Sequence, residues 1–165
     1  MKKLLLLVVF VFVAGAVFAT TTTDPATGEA QAKIIAPLVV AHADGAALNF
    51  GTLVSPKNGA GTVTISNANP GEATDSSGLE RIAADPVSSD HFTVTNPERV
   101  SYSVNLPSSS INVTSGSNTM AVSAFAASCE SGCTAYDIYV GGQLAVAQNQ
   151  AAGEYSGEYS ITLTY

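Results

Sequence analysis

The chain has 165 residues, 46% of them hydrophobic, and six basic against thirteen acidic side chains give it a formal net charge of −7. Its cations stand singly, so there is no basic patch to meet phosphates, and nucleic acid is excluded as an expected partner. The acidity favours solubility and says little about fold.

In chain order, the first element is a leader. Met1-Lys2-Lys3 is a short basic head and Leu4 to Val13 an unbroken apolar run. Ala14-Gly15-Ala16 ends that run, and Val17-Phe18-Ala19 sets a branched and a small residue at −3 and −1 of a cut before Thr20. This is the layout of a secretory signal peptide of bacterial type. Its apolar stretch only just approaches the ~20 residues a membrane span needs. Residues 1–19 are therefore expected to be removed, with no transmembrane segment left in the exported chain. No cysteine sits near the cut, so a lipid anchor is not expected there. The destination is periplasm, cell surface or medium. Residues 20–29, rich in threonine and without a large apolar side chain, read as a flexible lead-in.

Residues 30–165 are expected to form one domain, a length that suits a single core. The dominant pattern there has period two. Val63 and Ile65 alternate with Thr62 and Thr64, and Phe92 and Val94 with Thr93 and Thr95. Val100, Tyr102, Val104 and Leu106 alternate with Ser101, Ser103 and Asn105, while Ile111 and Val113 stand beside Asn112 and Thr114. Alternation puts one face in a core and the other in water, as half-buried antiparallel strands require. Asn58-Gly59, Asn69-Pro70-Gly71 and Ser115-Gly116-Ser117 punctuate the runs. Gly141-Gly142, between Ile138/Val140 and Leu144/Val146, reads as a two-residue hairpin. The acidic stretch from Glu72 to Asp90 reads as a long loop. Many short strands joined by glycine, proline and asparagine turns give an all-β, antiparallel β-sandwich, immunoglobulin-like or pilin-like. The last run sets Tyr155, Gly157, Tyr159, Ile161, Leu163 and Tyr165 on one face, and Ser156, Glu158, Ser160, Thr162 and Thr164 on the other. So regular a strand should be paired, because an open apolar edge invites association.

The residue inventory offers little for chemistry. His42 and His91 are the only histidines, with Asp44 and Asp90 their nearest carboxylates in sequence, and no G-x-S-x-G elbow is present. Asp75, Glu80, Asp85 and Asp90 do not follow the spacing of a calcium loop. Asn112-Val113-Thr114 fits a glycosylation sequon, but in a bacterial strand it is expected to stay unmodified. No catalytic residue, metal ligand or cofactor is expected. Cys129 and Cys133, with three residues including Gly132 between them, are expected to form a disulfide that stiffens one loop.

With the strands laid out, the chain resembles the bacterial family catalogued as domain of unknown function 4402. Leu48-Asn49-Phe50-Gly51-Thr52-Leu53, Gly61-Thr62-Val63-Thr64-Ile65 and Phe92-Thr93-Val94-Thr95 carry the likeness. So do Tyr102-Ser103-Val104-Asn105-Leu106-Pro107 and Val140-Gly141-Gly142-Gln143-Leu144, followed by Gln150 to Gly157 and the closing strand. Their order and spacing give the specificity. The resemblance implies an exported β-sandwich and supplies no catalytic residues. A weaker likeness is to fimbrial subunits assembled by chaperone and usher, whose final strand holds a glycine and a near-terminal tyrosine twelve positions apart. Gly153 and Tyr165 have that separation, although Tyr165 is last rather than penultimate. That likeness implies an assembly edge over Gly153, Tyr155, Tyr159, Ile161, Leu163 and Tyr165, and a donor segment for which Thr20 to Gly28 is too polar, while Ala30 to Val40 could serve if it left its own domain. The expected role is a non-enzymatic structural or adhesive surface protein associating with itself or other surface subunits. The alternative is a module binding a small ligand or glycan through loops 72–90 and 126–135, which hold no aromatic residue.

Intact-mass measurement of the exported protein should give a chain that begins at Thr20. The full-length form lodged in the inner membrane would contradict the leader assignment.

Overall fold

The computed structural model describes residues 24–76 and 78–165, and the leader expected over residues 1–19 lies outside them. Asp24 to Lys33 is exposed and has no regular secondary structure. Ile34 to Tyr165 forms a compact unit of its own. None of the described residues is helical.

The strands are β1 (Val39–His42), β2 (Leu53–Val54), β3 (Gly61–Ile65), β4 (Ala73–Asp75), β5 (Glu80–Arg81), β6 (Asp90–Thr95), β7 (Ser103–Asn105), β8 (Ile111–Ser115), β9 (Asn118–Ala127), β10 (Asp137–Val146) and β11 (Thr162–Thr164). Every pairing between them is antiparallel. Seven strands make one curled sheet around β10. One edge of β10 is covered by β9. Its other edge is shared, with β6 pairing Asp137–Val140 and β3 pairing Gly142–Val146. Outside these lie β1 on β6, β4 on β3 and β8 on β9. Two small ladders, β7–β11 and β2–β5, supply a second layer. The result is the all-β sandwich-like fold that the alternation implies.

The core has two parts. Phe92, Val94, Ile138 and Val140 of the sheet pack with Tyr102, Val104 and Ile161. Val63, Ile65, Val122, Leu144 and Val146 pack with Leu79, under cover of Leu48, Phe50 and Leu53. Phe125 touches both clusters. It can do so because β9 carries a bulge: Gly141 pairs with Ala126 and Gln143 with Ser123, so Ala124 and Phe125 both stand opposite Gly142. Ala124 takes a left-handed φ of 49° there. The extra residue keeps Val122, Phe125 and Ala127 on the inner face, where unbroken alternation would have turned Phe125 outward.

The hairpin expected at Gly141-Gly142 does not exist, because β10 runs straight through it. Ile138, Val140, Leu144 and Val146 all keep one phase of the alternation, as a continuous strand must. A two-residue turn at 141–142 would pair Val140 with Gln143 and send Leu144 and Val146 to the other face. The glycines serve close approach instead. A Cβ on Gly141 would collide with the Ile65 carbonyl and lie 2.7–2.8 Å from the Ser66–Asn67 backbone, where the chain leaves β3. The two-residue hairpin is at Gly116-Ser117, with Gly116 at φ 58° and Ser115 paired to Asn118. The stretch from Glu72 to Asp90 is not one long loop either, since it holds β4 and β5. The closing strand is shorter than expected: only Thr162–Thr164 pairs, with β7, and Ser156 makes an isolated bridge to Thr114.

Two substitutions check this architecture. Gly141→Ala should destabilise by about 1–3 kcal/mol, since its methyl meets backbone that cannot swing away. Ile161→Ala should cost about 2–5 kcal/mol, and Thr164→Ala, on the exposed face, well under about 1 kcal/mol. Urea unfolding of the three variants would read all of these, and a harmless Gly141→Ala would speak for a turn.

Candidate functional site

The second layer does not close over the second core. Residues 47–53 form one wall of a gap and residues 151–157 the other, and among the described residues no backbone hydrogen bond joins the two. Between them lies a cavity of about 650 Å3, floored by Val113, Met120, Leu144 and Val146. An adjoining cavity of about 400 Å3 shares Leu48, Phe50, Val113 and Gly157 with it and continues over Ile111, Val122 and Phe125 to His42, Asp90 and Tyr159. The whole is an apolar groove between two extended stretches of chain.

Each wall is tied outward, away from the groove. Asn49 and Ser88 exchange both backbone hydrogen bonds, at 2.9 and 3.1 Å, and the Asn49 side chain accepts from the Gly51 amide at 2.9 Å. On the other side Ser156 and Thr114 exchange theirs at 2.8 and 3.1 Å. Gly157 lets that wall lie against β8, because a Cβ there would sit 2.6 Å from the Asn112 carbonyl. The Tyr155 hydroxyl donates to the Ala151 carbonyl at 2.7 Å and accepts from the Gln150 amide at 2.8 Å. These local bonds spare the walls from needing one another.

A buried carboxylate closes one end. Asp90, first residue of β6 and on its inward face, is only 4% exposed. Its Oδ1 lies 2.7 Å from His42 Nε2 and accepts the His91 amide at 2.8 Å, and its Oδ2 accepts the Tyr159 hydroxyl at 2.7 Å. A buried carboxylate is costly unless bonded in this way. The Tyr159 ring also packs against Phe125 at 4.9 Å and edge-on to Phe92 at 6.1 Å. Burial, and then the Asp90 carboxylate to which it donates, push the Tyr159 phenol far above its ordinary range. It stays a protonated donor wherever the fold persists.

The residues expected to form an assembly edge are divided among three places. Gly153 and Tyr155 line the groove and Tyr159 stands at its end. Ile161 is buried in the first core and Leu163 packs against it. Tyr165 is exposed, its hydroxyl accepting the Leu38 amide at 2.8 Å. The cystine forms as expected between Cys129 and Cys133, with Cα atoms 5.9 Å apart. Its reach is greater than that of a loop staple, because Cys133 is buried in the first core and exchanges both backbone bonds with Tyr102. The histidine partners are not the nearest carboxylates in sequence. His42 meets Asp90, and His91 meets Asp137 at 2.8 Å while stacking on Tyr139. Strand register decides both: His42 pairs with Phe92, two residues from Asp90, and Tyr139 pairs with His91. Asp75 is taken by Arg81, at 3.2 Å.

The fold and groove define an antiparallel β-sandwich whose second layer leaves an apolar groove between residues 47–53 and 151–157. The chain belongs to the family described as Domain of unknown function (DUF4402), whose family model matches residues 40–165. Comparison with curated proteins and with solved structures found no match.

The raised phenol gives a pH dependence with a definite sign. An unfolded chain loses the Tyr159 proton near the ordinary value of 10.0, whereas the folded chain keeps it. The stabilisation is therefore complete below about pH 10 and falls as pH rises above it. Tyr159→Phe should cost about 1.5–3 kcal/mol at neutral pH, the usual worth of a hydrogen bond to a charged group, and should flatten the loss of stability between about pH 10 and 12. Parallel alkaline profiles for the two proteins would contradict the Tyr159–Asp90 bond.

Proposed function

We propose that this chain is an exported, non-enzymatic structural or adhesive protein of the bacterial cell surface, which joins its neighbours by strand addition with the groove as acceptor. The observation that carries this is the pair of unjoined walls over an apolar floor. An incompletely covered sandwich layer leaves hydrophobic residues open, and an extended segment of another chain covers them while adding its backbone beside the walls. The leader and the family support the exported part of the proposal only as expectations from sequence. The low count of charged side chains, 12% of the chain, is compatible with a protein built for contact rather than catalysis. Cavities of this size and lining also suit a small apolar ligand, which makes a ligand-binding module the second reading.

Electron microscopy of cells with and without the protein should show loss of surface material. In that material, backbone amides of residues 47–53 and 151–157 should exchange hydrogen slowly, and in the isolated chain quickly. Exchange that is unchanged on assembly would overturn the proposal.

A further inference from the structure

The polar residues around the groove have one sign of charge. Its lining includes Asp90, Glu154 and Glu158, and neither lysine nor arginine. The single basic side chain there is His42, whose imidazole is engaged by Asp90. Glu154 and Glu158 are exposed at the rim, above an apolar floor that strengthens their field.

Taking the groove as a strand acceptor, we infer that it selects an extended apolar segment bearing a lysine or arginine, and that segment Ala30–Val40 of a second copy, whose last two residues leave β1 to be donated, has the required chemistry. Past the leader the chain has four cations, Lys33, Lys57, Arg81 and Arg99. Lys33 precedes two consecutive large apolar side chains that are open to solvent, Ile34 at 95% and Ile35 at 37% exposed, whereas Arg81 adjoins one, Ile82 at 41%. In an extended strand Ala32, Ile34 and Ala36 share one face and Gln31, Lys33 and Ile35 the other. Small–large–small is a profile that a shallow slot floored by Val113 and Met120 accepts. Seated with Ile34 down, the strand carries Lys33 up to the rim, where the two glutamates are. An acidic or neutral polar strand of the same shape gains nothing there, so the rim discriminates by charge rather than by shape.

The test uses the exported chain, Thr20–Tyr165, with fluorescent peptides read by anisotropy at low salt and at about 0.5 M salt, where screening shortens the Debye length to a few ångströms. Three peptides are compared: Ala30–Val40, its Lys33→Glu form, and Tyr155–Tyr165. The expected result is binding of the first, with Lys33→Glu about tenfold weaker. That difference should collapse at high salt, and in a Glu154→Gln/Glu158→Gln protein whose urea midpoint is unchanged. Equal binding of the two charge forms would overturn the charge selection and leave the acceptor role standing. Binding of Tyr155–Tyr165 alone would do the same. Failure of all three peptides would overturn both.

Discussion

β10, ten residues long, has neighbours on both edges, and the rest of the sheet is arranged around it. One edge is served by a single neighbour, β9, which pairs with Val140–Ala145. On the other edge two shorter strands share the work, and the chain has to leave one and enter the other at the middle of β10. Gly141 stands at that crossing, with the outgoing Ser66–Asn67 backbone lying against it. A side chain would hold the two backbones apart, so the sheet would lose either β3 or β6. The bulge in β9 answers the same place from the opposite edge. It turns Phe125 inward, and that ring joins the two halves of the core.

The groove follows from the same division. Over the β6 half of the sheet, β7 and β11 make a covering ladder, and Ile161 and Leu163 reach the core. Over the β3 half, the only ladder is the two-residue β2–β5 pair, and the remaining cover comes from walls fastened outward to Ser88 and Thr114. The β3 side thus has an interior as apolar as its counterpart and a less complete lid. This asymmetry is what distinguishes a site from ordinary surface here, since isolated exposed apolar residues elsewhere need no explanation.

Much of this was legible in the residues, and the parts that were not have definable causes. Alternation in 61–65, 90–95 and 103–105 gave strands with the correct inward faces, because one-sided burial enforces period two. The glycine pair at 141–142 misled because such pairs usually mark turns, although the unchanged phase of Ile138, Val140, Leu144 and Val146 carried the right answer. The bulge could not be read, since nothing in Ser123-Ala124-Phe125 announces a left-handed alanine. The groove was not legible: alternation put Tyr155 and Tyr159 on one face of a single closing strand, whereas Tyr155 lines the groove and Tyr159 stands at its end. Alternation does not reveal that the run pairs only at Thr162–Thr164, because pairing depends on which neighbour arrives. Asp90 looked like one more loop acid, and its burial is set by a register that brings His42 and Tyr159 to it from distant parts of the chain.

That buried aspartate has an evolutionary consequence. Positions 42, 90 and 159 lie in three different stretches, yet the carboxylate is tolerable only while the other two supply donors. Loss of one donor leaves a buried charge undersatisfied, and replacing Asp90 alone leaves an imidazole and a phenol without their acceptor. None of the three can drift freely by itself. Replacing the triplet by apolar residues therefore calls for changes at all three positions together, since each single change leaves a polar group of the other two without its partner.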